Sequence, residues 1–242
     1  MGNKIVNYIR SYNAGSFFKR LLFIFAALTL MNFGIACFYQ CALGTDPFSV
    51  FVDGEHSLMH MTYGQVTNVN NIFLFTFMLI FARKYIHVGS VLGVLISGTL
   101  IDLFNMLIST YFPGDLLWKQ ILLLVVGLIT FAVAVGMFIV ADMGVSALEA
   151  IPLVIDEKTN INLRWLRVIE DLFFMSVGIL LGWLAGREIF SLHIDNANPP
   201  MIGIGTLVGA FGTGPIMKWF MNVAQEPMNK WFGPLRKTET HT

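Results

Sequence analysis

The sequence predicts an all-α membrane protein with six transmembrane helices, two short broken or half-helices, and two inverted-topology repeats of three spans each. The prediction depends on an apolar composition, on six apolar runs of membrane-spanning length, and on a correspondence between the two halves of the chain. Of the 242 residues, 56% are hydrophobic and 12% are charged, whereas a soluble domain carries roughly a quarter charged residues. The mean hydropathy of +0.70 likewise indicates a protein that crosses the bilayer several times.

Six apolar runs reach the length of about 20 residues that a helix needs to cross a bilayer. They cover 20–42, 64–82, 88–111, 119–141, 167–186 and 202–222. A shorter element follows the first and the fourth run, and roughly ten residues are too few to cross. We therefore divide the chain into an N-terminal segment, a first repeat, a second repeat and a tail: 1–19, 20–111, 117–222 and 223–242.

The two repeats correspond in their pattern of apolar runs and interruptions and at a few identical residues. At an offset of 100 residues, Leu28 matches Leu128 and Phe38 matches Phe138, and the runs and interruptions stay in register. The third spans align at an offset of 116, where GSVLGVLISG (89–98) meets GTLVGAFGTG (205–214). The extra residues fall in the polar loop at 187–201. Each repeat thus consists of a long span, a short helix, a second span and a Gly-rich third span.

Charge predicts the orientation of the chain. If the short helices do not cross, all 15 Lys and Arg residues except Lys119 and Arg187 lie on the side of the N-terminus. Cytoplasmic loops carry the excess of basic residues, so both termini are predicted to be cytoplasmic. Three spans per repeat make the second repeat upside down relative to the first. This inverted arrangement occurs in many secondary transporters.

The starts of the two short helices are marked by different capping signals. Asp46 is a predicted N-cap, and Pro47 occupies the favoured first helical position. Ser146 and Glu149 fit a capping box at the start of the second short helix. Gly54 is expected to end the first short helix. We call the interruption between each long span and the following short helix a break. A glycine in each repeat, namely Gly44 and Gly144, supplies the backbone freedom for this break.

Two interpretations of the short helices follow. Their N-termini either point at a solute near the membrane midplane, as broken helices do in transporters, or belong to amphipathic connecting helices at the two interfaces. The carboxylates of Asp46 and Glu149 suit a cation or an amine at least as well as an anion.

Polar residues inside the spans are the remaining candidates for a solute site, because such groups usually face a bundle interior or an aqueous cavity. They sit at the start of the second span and at the same offset in the fifth: Asn68, Asn70, Asn71, Glu170 and Asp171. Together with Asp46, Ser146 and Glu149 they form the predicted solute-binding set. Alternatively, Arg167 and Glu170, three residues apart, form an interfacial ion pair on one helix face.

A carboxylate in the third span, Asp102, is the first candidate for proton or ion coupling, and Glu170 is the second. Against this role, Asp102 lies toward the outer interface, where it has nothing to couple. Its repeat partner is Lys218, which either snorkels to the cytoplasmic surface or meets Glu170 or Asp171.

Each Gly-rich span carries a motif that permits close helix approach: Gly89 with Gly93, and Gly205 with Gly209. We expect these motifs to pack the third and sixth spans against each other across the pseudo-two-fold axis. A homodimer built on the same glycines is the alternative.

Other functional classes lack support in the sequence. It contains no P-loop, dinucleotide fingerprint, His-Glu-x-x-His or nucleophile elbow, so we expect neither an enzyme nor a cofactor. The formal net charge is zero, which does not favour nucleic-acid binding. Cys37 and Cys41 fit packing residues on one helix face, and no metal site is expected.

Several segments resemble the YczE/YyaS/YitT group of integral membrane proteins, most closely its YczE-like branch. They are LGTDPFSVF (43–51) with TYGQ (62–65), the run GSVLGVLISGTLIDL (89–103), LRWLRVIED (163–171) and GIGTLVGAFGTGPI (203–216). The resemblance extends over 20–220 and implies a small bacterial inner-membrane protein that is regarded as a transporter, without an assigned substrate.

We therefore predict a secondary transporter in the lipid bilayer that binds a small solute between its repeats and works by alternating access. A non-transporting scaffold or assembly factor for a partner protein is the alternative, and a passive channel is a third class.

Overall fold

A computed structural model describes residues 14–159, 161–190 and 200–232. Within these ranges the chain forms eight α-helices: α1 (Ala14–Gln40), α2 (Pro47–Met59), α3 (Tyr63–Phe81), α4 (Val88–Tyr111), α5 (Leu117–Ala141), α6 (Ala150–Lys158), α7 (Leu163–Leu184) and α8 (Ile204–Phe232). The described residues contain no strand beyond an isolated bridge between Phe190 and Ile202. The all-α class is confirmed. Most of the predicted N-terminal segment, most of the polar loop and the last ten residues of the tail lie outside the described residues.

Among the described residues, four helices, α1, α3, α4 and α5, are long and apolar enough to cross a membrane. The helices α7 and α8 coincide with the other two predicted spans and contain 22 and 29 residues. Helix α8 continues to Phe232, so the first part of the predicted tail is helical. Only 22% of the most apolar stretch of α4 is buried inside the protein. Exposed apolar surface on this scale is stable against lipid rather than water.

Glycines bring α1 and α5 into contact at the centre of the bundle. A Cβ added to Gly34 of α1 would lie 2.8 Å from the backbone nitrogen of Phe131 in α5. Cys37 and Cys41 are buried as free thiols in the apolar cluster between α1, α4 and α5. Around this pair, α4 packs on α1 and α3, and α8 packs on α5.

The break before α2 has the predicted chemistry. Asp46 is the N-cap, its Oδ1 accepts a hydrogen bond from the Ser49 backbone N–H at 3.2 Å, and Pro47 is the first helical residue. Both break glycines have a backbone conformation that L-residues rarely adopt, with φ of +92° at Gly44 and +112° at Gly144. The backbone freedom that we predicted for these two positions is therefore confirmed.

Helix α2 does not end at Gly54, as the sequence suggests, but continues to Met59. The reason is tertiary contact. Gly54 lies against α7, and a Cβ added there would be 2.5 Å from the carbonyl oxygen of Gly178. The lack of a side chain at Gly54 therefore lets α2 and α7 approach each other and does not end α2.

The predicted capping box at Ser146 is wrong. Helix α6 begins at Ala150, and Glu149 makes no capping hydrogen bond. Its carboxylate lies 3.3 Å from the guanidinium of Arg167 in α7. A guanidinium within reach offers the carboxylate a charged partner in place of a backbone N–H. This ion pair also takes the place of the predicted pair between Arg167 and Glu170.

The prediction that the third and sixth spans pack on each other is wrong, because α4 and α8 share no extended contact within the described residues. Their glycines approach the breaks instead. The Gly89 N–H donates to the Met143 carbonyl at 3.0 Å, and the Gly205 N–H donates to the Leu43 carbonyl at 2.8 Å. Gly93 and Gly209 face large side chains of α1, namely Leu28 and Phe38.

Candidate functional site

A cavity of about 180 Å³ lies in the middle of the bundle, between α1, α4, α5 and the starts of both short helices. Asp46 reaches it from the first break, and Ser146 and Glu149 reach it from the second. Asn71 of α3 also lines it. Four of the eight predicted solute-binding residues therefore share one cavity, although they come from both halves of the chain.

The two breaks beside the cavity are held by corresponding contacts. A Cβ added to Gly44 would meet Gly203 and Thr206, and one added to Gly144 would meet His87 and Ser90. His87 and Ser90 precede Gly203 and Thr206 by 116 residues, which is the alignment offset of the third spans. The hydrogen bonds from Gly89 to Met143 and from Gly205 to Leu43 also correspond. The two donors are 116 residues apart, and the two acceptors, which directly precede the break glycines, are 100 residues apart. The start of α4 thus holds the second break as the start of α8 holds the first.

Asn32 is a cavity residue that the sequence analysis missed. Its side chain is 0% exposed, and its Nδ2 donates to the Leu28 carbonyl at 2.7 Å and to Ser97 Oγ at 3.4 Å. Because the Leu28 carbonyl only accepts, the amide atom facing it must be the nitrogen. The remaining atom, Oδ1, has no hydrogen-bond partner among the described residues. An amide in the middle of the uncharged run Leu21–Thr45, whose other amide, Gln40, lies near its end, was the signal in the sequence.

The ionisable groups at the cavity are acidic. Asp46 and Glu149 line it, and none of the described lining residues is Lys or Arg. Arg167, the partner of Glu149, lies outside the lining, and 47% of its side chain is exposed. The rest of the wall is mostly apolar, with two amides and five hydroxyl side chains, and it includes three aromatic rings, those of Phe48, Phe131 and Phe138.

Three of the remaining predicted polar residues connect α3 to its neighbours. Asn68 Oδ1 accepts a hydrogen bond from the Gly98 N–H of α4 at 3.1 Å, and Asn70 donates to Glu55 of α2. Asp102 of α4 accepts hydrogen bonds from the start of α3, from Thr62 Oγ1 at 2.6 Å and from the Gly64 N–H at 2.8 Å. None of these three side chains lines the cavity.

Glu170 and Asp171 of α7 also lie outside the cavity lining. Asp171 is exposed, whereas Glu170 Oε1 is buried and has no hydrogen-bond partner among the described residues. Lys218 is exposed on α8. The coupling roles of Asp102 and Glu170 stay predictions.

A second cavity, of about 440 Å³, adjoins the other side of the first break. It is lined by Gly44 and Thr45 and by polar side chains that include Asp53 of α2 and Arg187. Asp53 Oδ2 and Arg187 Nη2 are 3.2 Å apart. Burial raises the pKa of the Asp53 carboxyl, and the Arg187 guanidinium opposes this rise. Residues 44–46 therefore lie between two cavities, since Asp46 lines the first.

Comparison with known proteins supports the resemblance stated above. A protein-family model described as a family of unknown function, DUF6198, matches residues 18–222. The chain is 25% identical over 214 residues to a Bacillus subtilis (strain 168) protein named "Uncharacterized membrane protein YczE", and the alignment covers 87% of this chain and 89% of that protein. No solved structure matches. The chain therefore belongs to the DUF6198 family and is a helical, multi-pass membrane protein similar to YczE.

Proposed function

We propose that this protein is a secondary transporter that carries a small solute across the bacterial inner membrane by alternating access between two inverted repeats. The observation that carries the proposal is the central cavity, where the starts of both short helices meet, one from each half of the chain. Inverted-repeat transporters bind their substrates near the midplane, at the repeat interface, beside broken helices. The cytoplasmic position of both termini is part of the proposal.

Paired contacts support the inverted repeat. Gly54 of α2 lies against Gly178 of α7, and the residues at the corresponding offset of 100 are Val154 and Met78. Val154 of α6 and Met78 of α3 belong to one buried apolar cluster. Each short helix thus packs on the second span of the opposite repeat. Two glycines let α2 and α7 touch through their backbones, whereas Val and Met side chains separate α6 from α3.

The α2–α7 contact is thus tighter than the corresponding α6–α3 contact. Alternating access requires such a difference, because in any one conformation the two ends of the pathway are closed to different degrees. In the proposed mechanism the tight α2–α7 contact closes one end of the pathway, and the looser α6–α3 contact closes the opposite end. The first break separates the central cavity from the second cavity, so a movement of α2 away from α7 would join the two. A solute in the central cavity would then reach the other side of the membrane.

The test is solute flux into proteoliposomes, using a panel of labelled amines, carboxylates, sugars and inorganic phosphate. Gly93 lines the cavity, and its added Cβ would meet only Leu28 Cδ2 at 3.7 Å, so Gly93→Leu should fill the cavity without displacing backbone. We expect Gly93→Leu to abolish flux. Gly214→Leu is the matched control, because Gly214 on α8 has open space around its Cβ and does not line the cavity.

Alternating access has its own test in membrane vesicles of either orientation. The variant Asn71→Cys should react with a membrane-impermeant maleimide from both sides, since both conformations expose the cavity in turn. A scaffold predicts labelling from one side at most, and no flux for any panel member. A passive channel predicts labelling from both sides together with an ion leak. Proton coupling would be excluded if Asp102→Asn and Glu170→Gln left flux under a pH gradient unchanged.

A further inference from the structure

One polar atom at the central cavity, Asn32 Oδ1, is a hydrogen-bond acceptor that lacks a donor among the described residues. Asn32 is fully buried, and the contact of its Nδ2 with the Leu28 carbonyl turns Oδ1 toward a position without a partner among the described residues. A buried acceptor without a donor destabilises the cavity. A bound solute that donates a hydrogen bond would remove this destabilisation.

The charged residues of the cavity determine which sign of charge a bound solute should carry. The carboxylates of Asp46 and Glu149 line it, and the described lining contains no Lys or Arg. The positive N-terminus of α2 does not reverse this balance, since Asp46 Oδ1 already accepts a hydrogen bond from the Ser49 N–H. The guanidinium of Arg167 is half exposed, so solvent screens it. An anion would meet two carboxylates, whereas a cation would meet opposite charge.

The volume of the cavity and the residues of its walls determine the size and polarity of the uncharged part of the solute, which we call its body. A cavity on the order of 150 Å³ with apolar walls holds a molecule of the size of benzene, and this one measures about 180 Å³. The rings of Phe48, Phe131 and Phe138 contribute to the wall. Aromatic rings attract cations and also pack against apolar groups.

We infer that the cavity binds a protonated small amine, that is, a primary or secondary ammonium group on a compact apolar body. The N–H groups would donate to Asn32 Oδ1 and to the carboxylates of Asp46 and Glu149, and the body would pack against the phenylalanines. The class of ligand deepens the proposed transport function and rests on it only for movement across the membrane, not for binding.

The binding test uses three probes of one shape and different charge, n-butylamine, n-butanol and n-butyrate, titrated calorimetrically at pH 7 into the full-length protein in nanodiscs. We expect n-butylamine to bind at least about tenfold more tightly than n-butanol, since hydrogen bonds to charged groups exceed neutral ones by this order. No binding of n-butyrate is expected. Equal or tighter binding of n-butyrate would overturn the inference.

Two variants separate the contributions of hydrogen bonding and charge. Asn32→Leu removes the acceptor at nearly constant volume, and Asp46→Asn removes a charge while keeping a side chain that caps α2 equally well. Each should weaken n-butylamine binding by about tenfold or more, whereas n-butanol, whose neutral O–H makes a weaker hydrogen bond, should lose less. The control is Glu55→Gln, because Glu55 contacts Asn70 and does not line the cavity. If Asn32→Leu does not fold, Asp46→Asn still decides the result, and unchanged binding in the folded variants refutes the amine assignment.

Binding and flux together distinguish the two proposals. The flux of n-butylammonium is measured as charge displacement on solid-supported membranes, with Gly93→Leu as the blocked control. Binding that depends on Asn32, without any current, supports the amine class and contradicts transport. Flux of another panel solute that Gly93→Leu abolishes, without n-butylamine binding, supports transport and contradicts the amine class.

Discussion

The contact between Gly178 of α7 and α2 is predicted to be sensitive to a single added methyl group. A Cβ added to Gly178 would lie 2.6 Å from the nitrogen and Cα of Phe51 and from the carbonyl oxygen of Val50. These are backbone atoms, which cannot rotate away, so in Gly178→Ala α2 must withdraw by roughly 0.8 Å to restore ordinary contact near 3.4 Å.

The magnitude follows from two opposing effects. Overpacking of this kind costs about 1–3 kcal/mol, and replacement of a helical glycine by alanine returns about 0.5–1 kcal/mol. Gly178→Ala should therefore destabilise the protein by about 0–2.5 kcal/mol. For a chain of this length, 1 kcal/mol shifts Tm by about 2–4 °C, so a fall of up to about 10 °C is expected.

The assay is thermal unfolding in detergent, with Gly93→Ala as the matched control. Gly93 is also helical, but its added Cβ would meet only Leu28 at 3.7 Å, which is an ordinary contact. Its Tm should stay the same or rise. A Tm of Gly178→Ala that equals that of Gly93→Ala would refute the steric reasoning. If α2 and α7 close one end of the pathway, Gly178→Ala should also increase labelling of Asn71→Cys from that end.

Two further predictions concern the breaks and the buried ion pair. Gly44→Ala places a Cβ at φ +92° and 2.4 Å from the Gly203 nitrogen, so a loss of at least about 2 kcal/mol is expected and should appear as a lower Tm. Arg187→Gln leaves the carboxylate of Asp53, which is 7% exposed, without its cation, and about 3–5 kcal/mol should be lost. Adding Asp53→Asn should restore most of that stability in the same unfolding assay. A double variant no more stable than Arg187→Gln would contradict the ion-pair explanation.

Local patterns in the sequence predicted the helices and their order. Apolar runs of membrane length coincide with α1, α3, α4 and α5, and the break at Gly44 with the cap at Asp46 has the predicted geometry. These features depend on neighbouring residues alone. The backbone must hydrogen-bond within each apolar run, and Asp followed by Pro favours the start of a helix.

Assignment of the polar residues needed the tertiary structure. Asn71 and Glu149 face the cavity, whereas Asn70, one residue earlier, contacts Glu55. Adjacent residues on a helix point about 100° apart, so the choice depends on how α3 is rotated against its neighbours. Arg20, which the charge count places with the surface charges, is 1% exposed and donates to the Ala141 carbonyl at 2.7 Å.

The sequence by itself determined the class of the protein and the positions of its long apolar helices, because both follow from hydropathy and local hydrogen bonding. Only the tertiary structure decided what the glycines do and which acceptors share a cavity. Gly54 and Gly89 look alike in the sequence, yet one meets Gly178 of a distant helix and the other meets the Met143 carbonyl. Contacts between residues far apart in the chain depend on how whole helices pack, and no local pattern encodes that packing.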